Sequence, residues 1–302
     1  MKLYISTKDN KIYVDKKINI QCFTEYGLRY QKINSYSINN KKESKEIDSI
    51  LLIPFTHITN IWHLLHQLFI LFKFVKKNNI KKEYFYFIFF QGFYERQGEI
   101  LKTNYIDLIF KGFGLDIEKY KELDNIFKHD NCINVKGVQI VNEKINFNSE
   151  PMMKEFKEYF LDNFKINKNL EPEGIVFVLR RGTREITNID FVKNNLPCNI
   201  DYVYLEDYNV EKQLELISKS KIIIGVHGAG LTWSVFMKEN CTLVELYPGN
   251  SNTDNYIRWC KISGLNYRRV CVNITKGNAN DFRKATVNID RKQIDIIKKY
   301  IN

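Results

Sequence analysis

The chain has no Cys-x-x-Cys pair. None of its six cysteines (Cys22, Cys132, Cys198, Cys241, Cys260 and Cys271) stands beside a histidine at a zinc-binding spacing. That excludes a zinc ribbon or finger. In a chain of 302 residues, which needs no disulfide framework to hold a core, the cysteines read as free thiols of a reducing compartment. The opening residues, MKLYISTKDN, lack the apolar stretch of a secretory leader. No run reaches the roughly 18 apolar residues of a membrane span; those at 50–55 and 84–90 are too short and read as buried strands. The chain is therefore expected to be cytoplasmic, with no transmembrane segment. No short internal repeat points to a solenoid. No Gly-x-Gly-x-x-Gly follows a strand near the start of either half, which disfavours a dinucleotide oxidoreductase.

What is present is apolar mass and positive charge. Hydrophobic residues make up 44% of the chain and aromatic residues 14%, enough for two medium-sized cores at about 100–200 residues per domain. The net charge of +11 raises the prior for polyanionic or phosphate-bearing ligands. The lysines are dispersed in short pairs, such as Lys16-Lys17, Lys41-Lys42, Lys76-Lys77 and Lys81-Lys82. They form no single stripe, and no nucleic-acid partner is expected.

Residues 1–48 are polar and mixed, with a few short strands and a mobile loop expected. The run at 49–55 reads as a buried parallel strand. Asn60 can then cap a helix in which Ile61, Leu64, Leu65, Leu68, Leu71, Phe72 and Val75 recur at helical spacing. A strand at 84–90, a helix around 95–110 and a strand-rich stretch at 132–141 follow. An Asn-, Lys- and Glu-rich stretch near 146–172, with Pro151, Pro172 and one amphipathic helix (153–164), marks the domain boundary. From Gly174 strands and helices alternate. Strands are expected at 175–179, 202–205, 221–225, 242–246 and 267–272. Helices are expected from about 188, 210, 230, 254 and 290. That rhythm predicts an α/β fold with parallel, doubly wound sheets. The domains are read as 1–150 and 151–302, with the last helix a candidate to pack back on the first.

The sharpest segment is KIIIGVHGAGLT at 221–232: a buried strand, a turn with Gly225, Gly228 and Gly230, and a helix start. Ligands of open α/β sheets sit at the carboxyl ends of the strands. Small residues there let the backbone approach a phosphate, and a helix N-terminus offers N–H groups and a positive dipole end. Gly228, Ala229, Gly230, Leu231 and Thr232 are therefore the candidate anion cradle, with the Thr232 and Ser234 hydroxyls as further donors. A tight turn needs no imidazole, so His227 favours a ligand site over a bare turn. Arg180, Arg181 and Arg184 follow the first strand of this half and fall on the same rim. A guanidinium fork suits phosphate oxygens. Glu245, near the end of a neighbouring strand, is a candidate to accept from a ribose diol.

The run IIIGVHGAGLTWSVFMKENCTLVELYPG resembles the signature of the family-61 glycosyltransferases. That family includes plant enzymes that decorate xylan and animal enzymes that add N-acetylglucosamine to Ser or Thr. FVLRRGTREITN at 177–188 resembles the family's arginine segment, and TNIWHLLHQL at 59–68 its Asn-x-x-His helix near the acceptor side. The order and spacing of all three agree. Together they cover about residues 50–272 and leave 1–48 uncovered. The resemblance implies a GT-B fold, two Rossmann-like domains with parallel sheets facing across a cleft. It implies a UDP-sugar donor, carrying N-acetylglucosamine or a pentose, inversion at the anomeric carbon, and a glycan or protein hydroxyl as acceptor. It also implies no obligatory metal and no other cofactor. The chain itself has no Asp-x-Asp, the pattern with which metal-dependent sugar transferases of the other major fold hold their ion.

Of the arginines, the family pattern matches Arg180 and Arg184, and Gln213 matches a family glutamine that supports the fold. Asn60, of the Asn-x-x-His match, is a candidate substrate-binding residue. Transfer requires a base on the acceptor side. His63 is the candidate, His57 and His66 are neighbouring alternatives, and Glu95 and Glu99 are carboxylates that could substitute. Many family members carry an acidic residue four positions after this histidine, where this chain has Gln67, which cannot act as a base. That departure keeps alive a nucleotide-sugar-binding protein without transfer activity. A GT-B-like sugar-nucleotide epimerase is a third reading.

Overall fold

A computed structural model describes residues 2–6, 11–14, 18–24, 27–33, 43–55, 60–81, 85–89, 105–118, 132–140, 145–248, 254–278 and 281–301. The mobile loop expected before residue 43 and the first turns of the helix expected around 95–110 lie outside them. The chain divides into two compact units, Met1–Ile145 and Asn146–Asn302.

In the first unit five strands form one sheet. They are β1 (Lys2–Ser6), β2 (Lys11–Val14), β5 (Glu43–Phe55), β6 (Phe85–Phe89) and β7 (Cys132–Ile140), in the order β2-β1-β7-β5-β6. The remaining strands, β3 (Ile18–Thr24) and β4 (Gly27–Ile33), form a separate antiparallel pair. β5 pairs in parallel with β6 on one side and β7 on the other. β1 pairs antiparallel with both β7 and β2. The sheet is thus mixed, which corrects the expectation of a parallel sheet in this half. Short connections within residues 1–14 allow an antiparallel pair. A parallel pair needs a crossover helix, here α1 (Ile61–Asn78) between β5 and β6.

Asn60 starts α1, its side chain accepting from Trp62 N at 3.0 Å. Asn79, in the left-handed region at φ 50°, ends it by donating to Val75 O, with Lys76 and Lys77 in the last turn. Between Ile61 and Phe74 every residue except His63 is buried. A short helix, α2 (Ile106–Phe110), also lies in this unit.

The second unit begins with α3 (Met152–Asn163) and continues as β8 (Ile175–Val178), α4 (Ile189–Asn195), β9 (Ile200–Val203), α5 (Val210–Lys219) and β10 (Ile222–Val226). A 3₁₀ segment (Ala229–Phe236) replaces the α-helix expected after the glycine turn. Then come β11 (Thr242–Pro248), α6 (Asn255–Ser263), β12 (Asn266–Asn278), β13 (Asp281–Asn288) and α7 (Arg291–Ile301). The sheet order is β13-β12-β11-β10-β8-β9, with five parallel strands and β13 antiparallel at the edge. The hairpin β12–β13 is much longer than the strand expected at 267–272.

Alternation along the strands divides the core. Phe177, Ile224, Val244 and Leu246 face one way, in a cluster with Val192 of α4. Ile294 and Ile297 join the same cluster, so the last helix sets its apolar face into this unit's own core. A second layer forms around the 3₁₀ segment, where Phe236 meets Phe156 and Phe160 of α3 with ring centroids 6.1 and 6.0 Å apart. Beside it the buried Lys157 ammonium donates to Met237 O at 3.0 Å and Ser263 O at 2.9 Å. These carbonyls close the 3₁₀ segment and α6, where a cation complements the negative ends of the peptide dipoles.

Candidate functional site

Numbered along the second unit, the five parallel strands run 2-1-3-4-5. β8 leads to β9 on one side, and the chain then returns to place β10 on the other. The carboxyl ends of β8 and β10 therefore flank a topological switch point, where adjoining loops part and leave a crevice. The arginine loop follows β8 and the glycine turn follows β10, so both sequence signals converge there.

Their contact is close. A Cβ on Gly228 would lie 2.1 Å from Arg180 Nη1, 2.9 Å from its Cζ and 3.5 Å from Arg184 Cζ. The absence of a side chain here lets a guanidinium rest on the backbone. At Gly225 a Cβ would meet Leu231 Cδ2 at 2.8 Å and Val178 O at 3.1 Å, so that glycine serves packing. Around Gly230 the nearest atoms stand at 3.7 Å, an ordinary contact. The N–H groups of Gly228, Ala229 and Gly230 have no acceptor among the described residues, whereas Leu231 N donates to Gly228 O at 3.0 Å. Leu231 is buried on Gly225, which removes both its amide and its side chain from the expected cradle. Thr232 and Ser234 are likewise corrected. Both are fully buried, and the Thr232 hydroxyl donates into the turn, to Ala229 O at 2.6 Å.

Arg180 is steadied by Nε and Nη2 bonds to Thr183 O (3.1 Å) and Oγ1 (3.4 Å). Burial pulls its guanidinium below the ordinary value, against the influence of Tyr256 and Glu206, and an arginine stays cationic through such a shift. Arg184 adopts the left-handed conformation at φ 57°, a strained choice for a non-glycine residue. Its amide is tied to Ala285 O at 2.6 Å, and Thr187 N to Val287 O at 2.9 Å, both on β13. Arg181 points elsewhere. It makes a bidentate pair with Asp207 at 2.6 and 2.8 Å, with its guanidinium 3.7 Å from the centre of the Tyr204 ring.

Strand register builds the wall beside this cradle. Gly225 of β10 pairs with Glu245 of β11, which pairs with Arg269 of β12. Tyr267 is two residues from Arg269 and shares its face. Glu245 is fully buried. Its Oε1 meets His227 Nδ1 at 2.5 Å. Its Oε2 accepts a very short bond from the Tyr267 hydroxyl and a longer one from Arg269 Nε at 3.3 Å. Arg269 Nε also donates to Tyr267 Oη at 2.7 Å. With no exposed surface and both oxygens engaged, Glu245 is not placed to hold a ribose diol, which corrects that expectation. The His227 ring is set edge to face against Tyr247 and Tyr256, with centroids 5.0 and 5.6 Å away. Tyr256 also donates to Gly228 O at 2.5 Å. Desolvation raises the hydroxyls of Tyr256 and Tyr267, and Glu245 adds to the effect at Tyr267, so both remain donors.

On the first unit, Asn60 is the cap of α1 and its Oδ1 is taken by Trp62 N. His63 is the partly exposed residue of an otherwise buried stretch. His66 is buried, bonded through Nδ1 to Trp62 O at 2.7 Å, and held down to a pKa of about 4 by desolvation; it is a packed residue. Gln67 is buried and donates to His63 O at 2.9 Å. Gln213, buried on α5, donates to Tyr208 O at 2.9 Å, a fold-supporting contact. His57, Glu95 and Glu99 lie outside the described residues.

The sequence reading missed Tyr256, Tyr267 and Arg269. The last two carry a faint signal, alternating residues at the carboxyl end of a parallel strand. Tyr256 gives none, because its role depends on where α6 packs. Among the described residues no group of three His, Cys, Asp or Glu side chains could hold a metal ion, and no helix is long and apolar enough to cross a membrane.

The family model described as Glycosyltransferase 61 matches residues 61–244, more than half of the chain. An alpha-1,3-arabinosyltransferase XAT3 of Oryza sativa subsp. japonica is 25% identical over 116 residues, 35% of this chain and 20% of that protein. Protein O-linked-mannose beta-1,4-N-acetylglucosaminyltransferase 2 of Xenopus laevis is 26% identical over 107 residues, 34% of this chain and 18% of that protein. Its Homo sapiens counterpart is 35% identical over 54 residues, 18% of this chain and 9% of that protein. The matched part of this chain thus spans a fifth or less of each relative. Among solved structures, E. coli heptosyltransferase WaaC with ADP aligns over 84% of this chain and 99% of that one, at 9% identity and a TM-score of 0.34, too low to carry a fold assignment.

Proposed function

The chain belongs to glycosyltransferase family 61, and on that premise we propose that it is an inverting glycosyltransferase. It moves a sugar, N-acetylglucosamine or a pentose, from a UDP-sugar to a hydroxyl of a glycan or protein, in a GT-B arrangement. The observation that carries the reading is the Arg180 guanidinium seated on Gly228 at the switch point. Beside it are three successive backbone N–H groups without an acceptor among the described residues. A diphosphate there would meet fixed positive charge and oriented dipoles.

In the transfer the acceptor oxygen bonds to the anomeric carbon as that carbon's bond to the diphosphate oxygen breaks. Negative charge grows on the leaving diphosphate. Donors already in place stabilise it most, because they need no reorganisation. Arg180, Arg184 and the amides of 228–230 supply them, and no step requires a metal. His63, partly exposed on a buried helix, takes the acceptor proton. An imidazole is the side chain best suited to proton transfer near neutral pH.

A second reading, a nucleotide-sugar-binding protein without transfer, is favoured by one observation: Gln67 is a buried amide bonded to the backbone of its own helix. Two assays separate the readings. A thermal-shift series with UDP-, GDP-, ADP- and CMP-sugars identifies the nucleotide, since a ligand stabilises the state it binds. Release of UDP in the presence of candidate acceptors then reports turnover. Stabilisation by UDP-sugars with release supports the enzyme. Stabilisation without release for any acceptor supports the binding protein, stabilisation only by another nucleotide's sugars refutes the UDP donor, and no stabilisation by any of the four series refutes both.

A further inference from the structure

We propose that Glu245 is a positioning residue that fixes the hydrogen of His227 on Nδ1 and so presents Nε2 as the ring atom that acts on the donor. Tyr267 and Arg269 hold Glu245 in place. The inference rests on the reading of the switch-point crevice as the donor-phosphate site.

The geometry follows from register. In parallel pairing Gly225, Glu245 and Arg269 stand side by side on three strands. His227 lies two residues beyond Gly225, and its backbone is anchored by a bond from its N–H to Leu246 O at 2.9 Å. Its ring comes down over the carboxylate, with Nδ1 2.5 Å from Oε1. Oε2 already accepts from two donors, the Tyr267 hydroxyl and Arg269 Nε. Arg269 forms an ion pair with this carboxylate, Nε to Oε2 at 3.3 Å, and a carboxylate only accepts. The hydrogen shared with His227 therefore belongs to Nδ1. In the neutral ring Nε2 then carries the lone pair, and in the cation it is a second donor. A buried carboxylate behind an imidazole selects the tautomer in this way wherever the outer nitrogen does the chemistry.

The surroundings restrict the ring further. Tyr247 and Tyr256 meet it edge to face. Tyr256 also bonds to Gly228 O, which links the orientation of the ring to the cradle. A contact that merely filled space would need none of these polar partners. An apolar side chain at 245 would serve packing without placing a charge under the ring.

The test reads the ring directly. The intact protein, labelled with ¹⁵N-histidine, is examined by long-range imidazole NMR at pH 9. The His227 signals are assigned by their loss in His227→Gln. The expected result is the Nδ1–H tautomer, changed to a mixture or to Nε2–H in Glu245→Gln. UDP affinity is expected to fall about tenfold in Glu245→Gln, the lower end of the loss seen when an outer-shell partner of a metal-ligating histidine is removed, and less in Tyr267→Phe. The wild-type spectrum needs no variant to fold, so the proposal stays testable if Glu245→Gln is unstable. A wild-type Nε2–H tautomer with normal UDP binding overturns the positioning role and leaves the donor site standing. A wild-type Nδ1–H tautomer with no UDP binding overturns the donor reading, and this proposal with it.

Discussion

Gly228→Ala isolates the cradle from the fold. The φ of Gly228 is 161°, extended backbone open to any residue, so alanine adds no backbone strain. The new methyl group would fall 2.1 Å from Arg180 Nη1, and ordinary contact begins at 3.4 Å. The guanidinium must therefore retreat by about 1.3 Å. It lies at the far end of a flexible side chain and can do so at little cost to stability. A charge-assisted bond to phosphate is worth about 1.5–3 kcal/mol, or roughly 10- to 100-fold in affinity. A misplacement of about 1 Å is enough to lose most of it. Calorimetric titration with UDP should show the dissociation constant rising about 10- to 100-fold, with a circular-dichroism melt close to wild type. Arg180→Ala on the Gly228→Ala background should add little, because the two changes remove one interaction. A stably folded Gly228→Ala protein that binds UDP as tightly as wild type would refute the reasoning.

Other substitutions probe separate links. His63→Ala should lower kcat about 10²- to 10⁴-fold with donor affinity nearly unchanged, as loss of a general base does; steady-state kinetics with calorimetry checks it. Arg181→Ala should leave UDP affinity within about twofold, since that fork is committed to Asp207 at the exposed surface; the same titration decides. Lys157 links pH to stability. Burial lowers its pKa from 10.5 to about 8, so between those values the unfolded chain binds the extra proton. The destabilisation is complete below pH 8 and is relieved as pH rises toward 10.5. Relative to Lys157→Met, wild type should gain about 2.5 kcal/mol between pH 7 and 10, read from urea unfolding at each pH.

The second unit was legible in the sequence because local signals agreed with the global arrangement. Apolar runs became the strands β8, β10 and β11, and Gly225 and Gly228 sat where a neighbour approaches the backbone closely. Arg180 and Gly228 could be placed on one rim because each follows the carboxyl end of an expected parallel strand. The inward turn of Glu245 was hidden, because a glutamate near a strand end reads as solvated until Arg269 and Tyr267 are known to lie beside it. Leu231 and Thr232 looked like donors because an α-helix was expected. The tighter 3₁₀ turn takes the Leu231 amide and the Thr232 hydroxyl for itself. The antiparallel part of the first sheet was illegible for a similar reason. Whether a short polar strand joins a sheet edge depends on partners far along the chain, as β1 does with β7.

The most direct measurement is titration of the wild-type protein and of Arg180→Ala with UDP in the presence of EDTA. Saturable binding of one UDP per chain is expected for wild type, weakened about 10- to 100-fold in Arg180→Ala. Binding that appears only when Mn²⁺ or Mg²⁺ is added, or that is the same in Arg180→Ala, would contradict a metal-free diphosphate seat at the switch point.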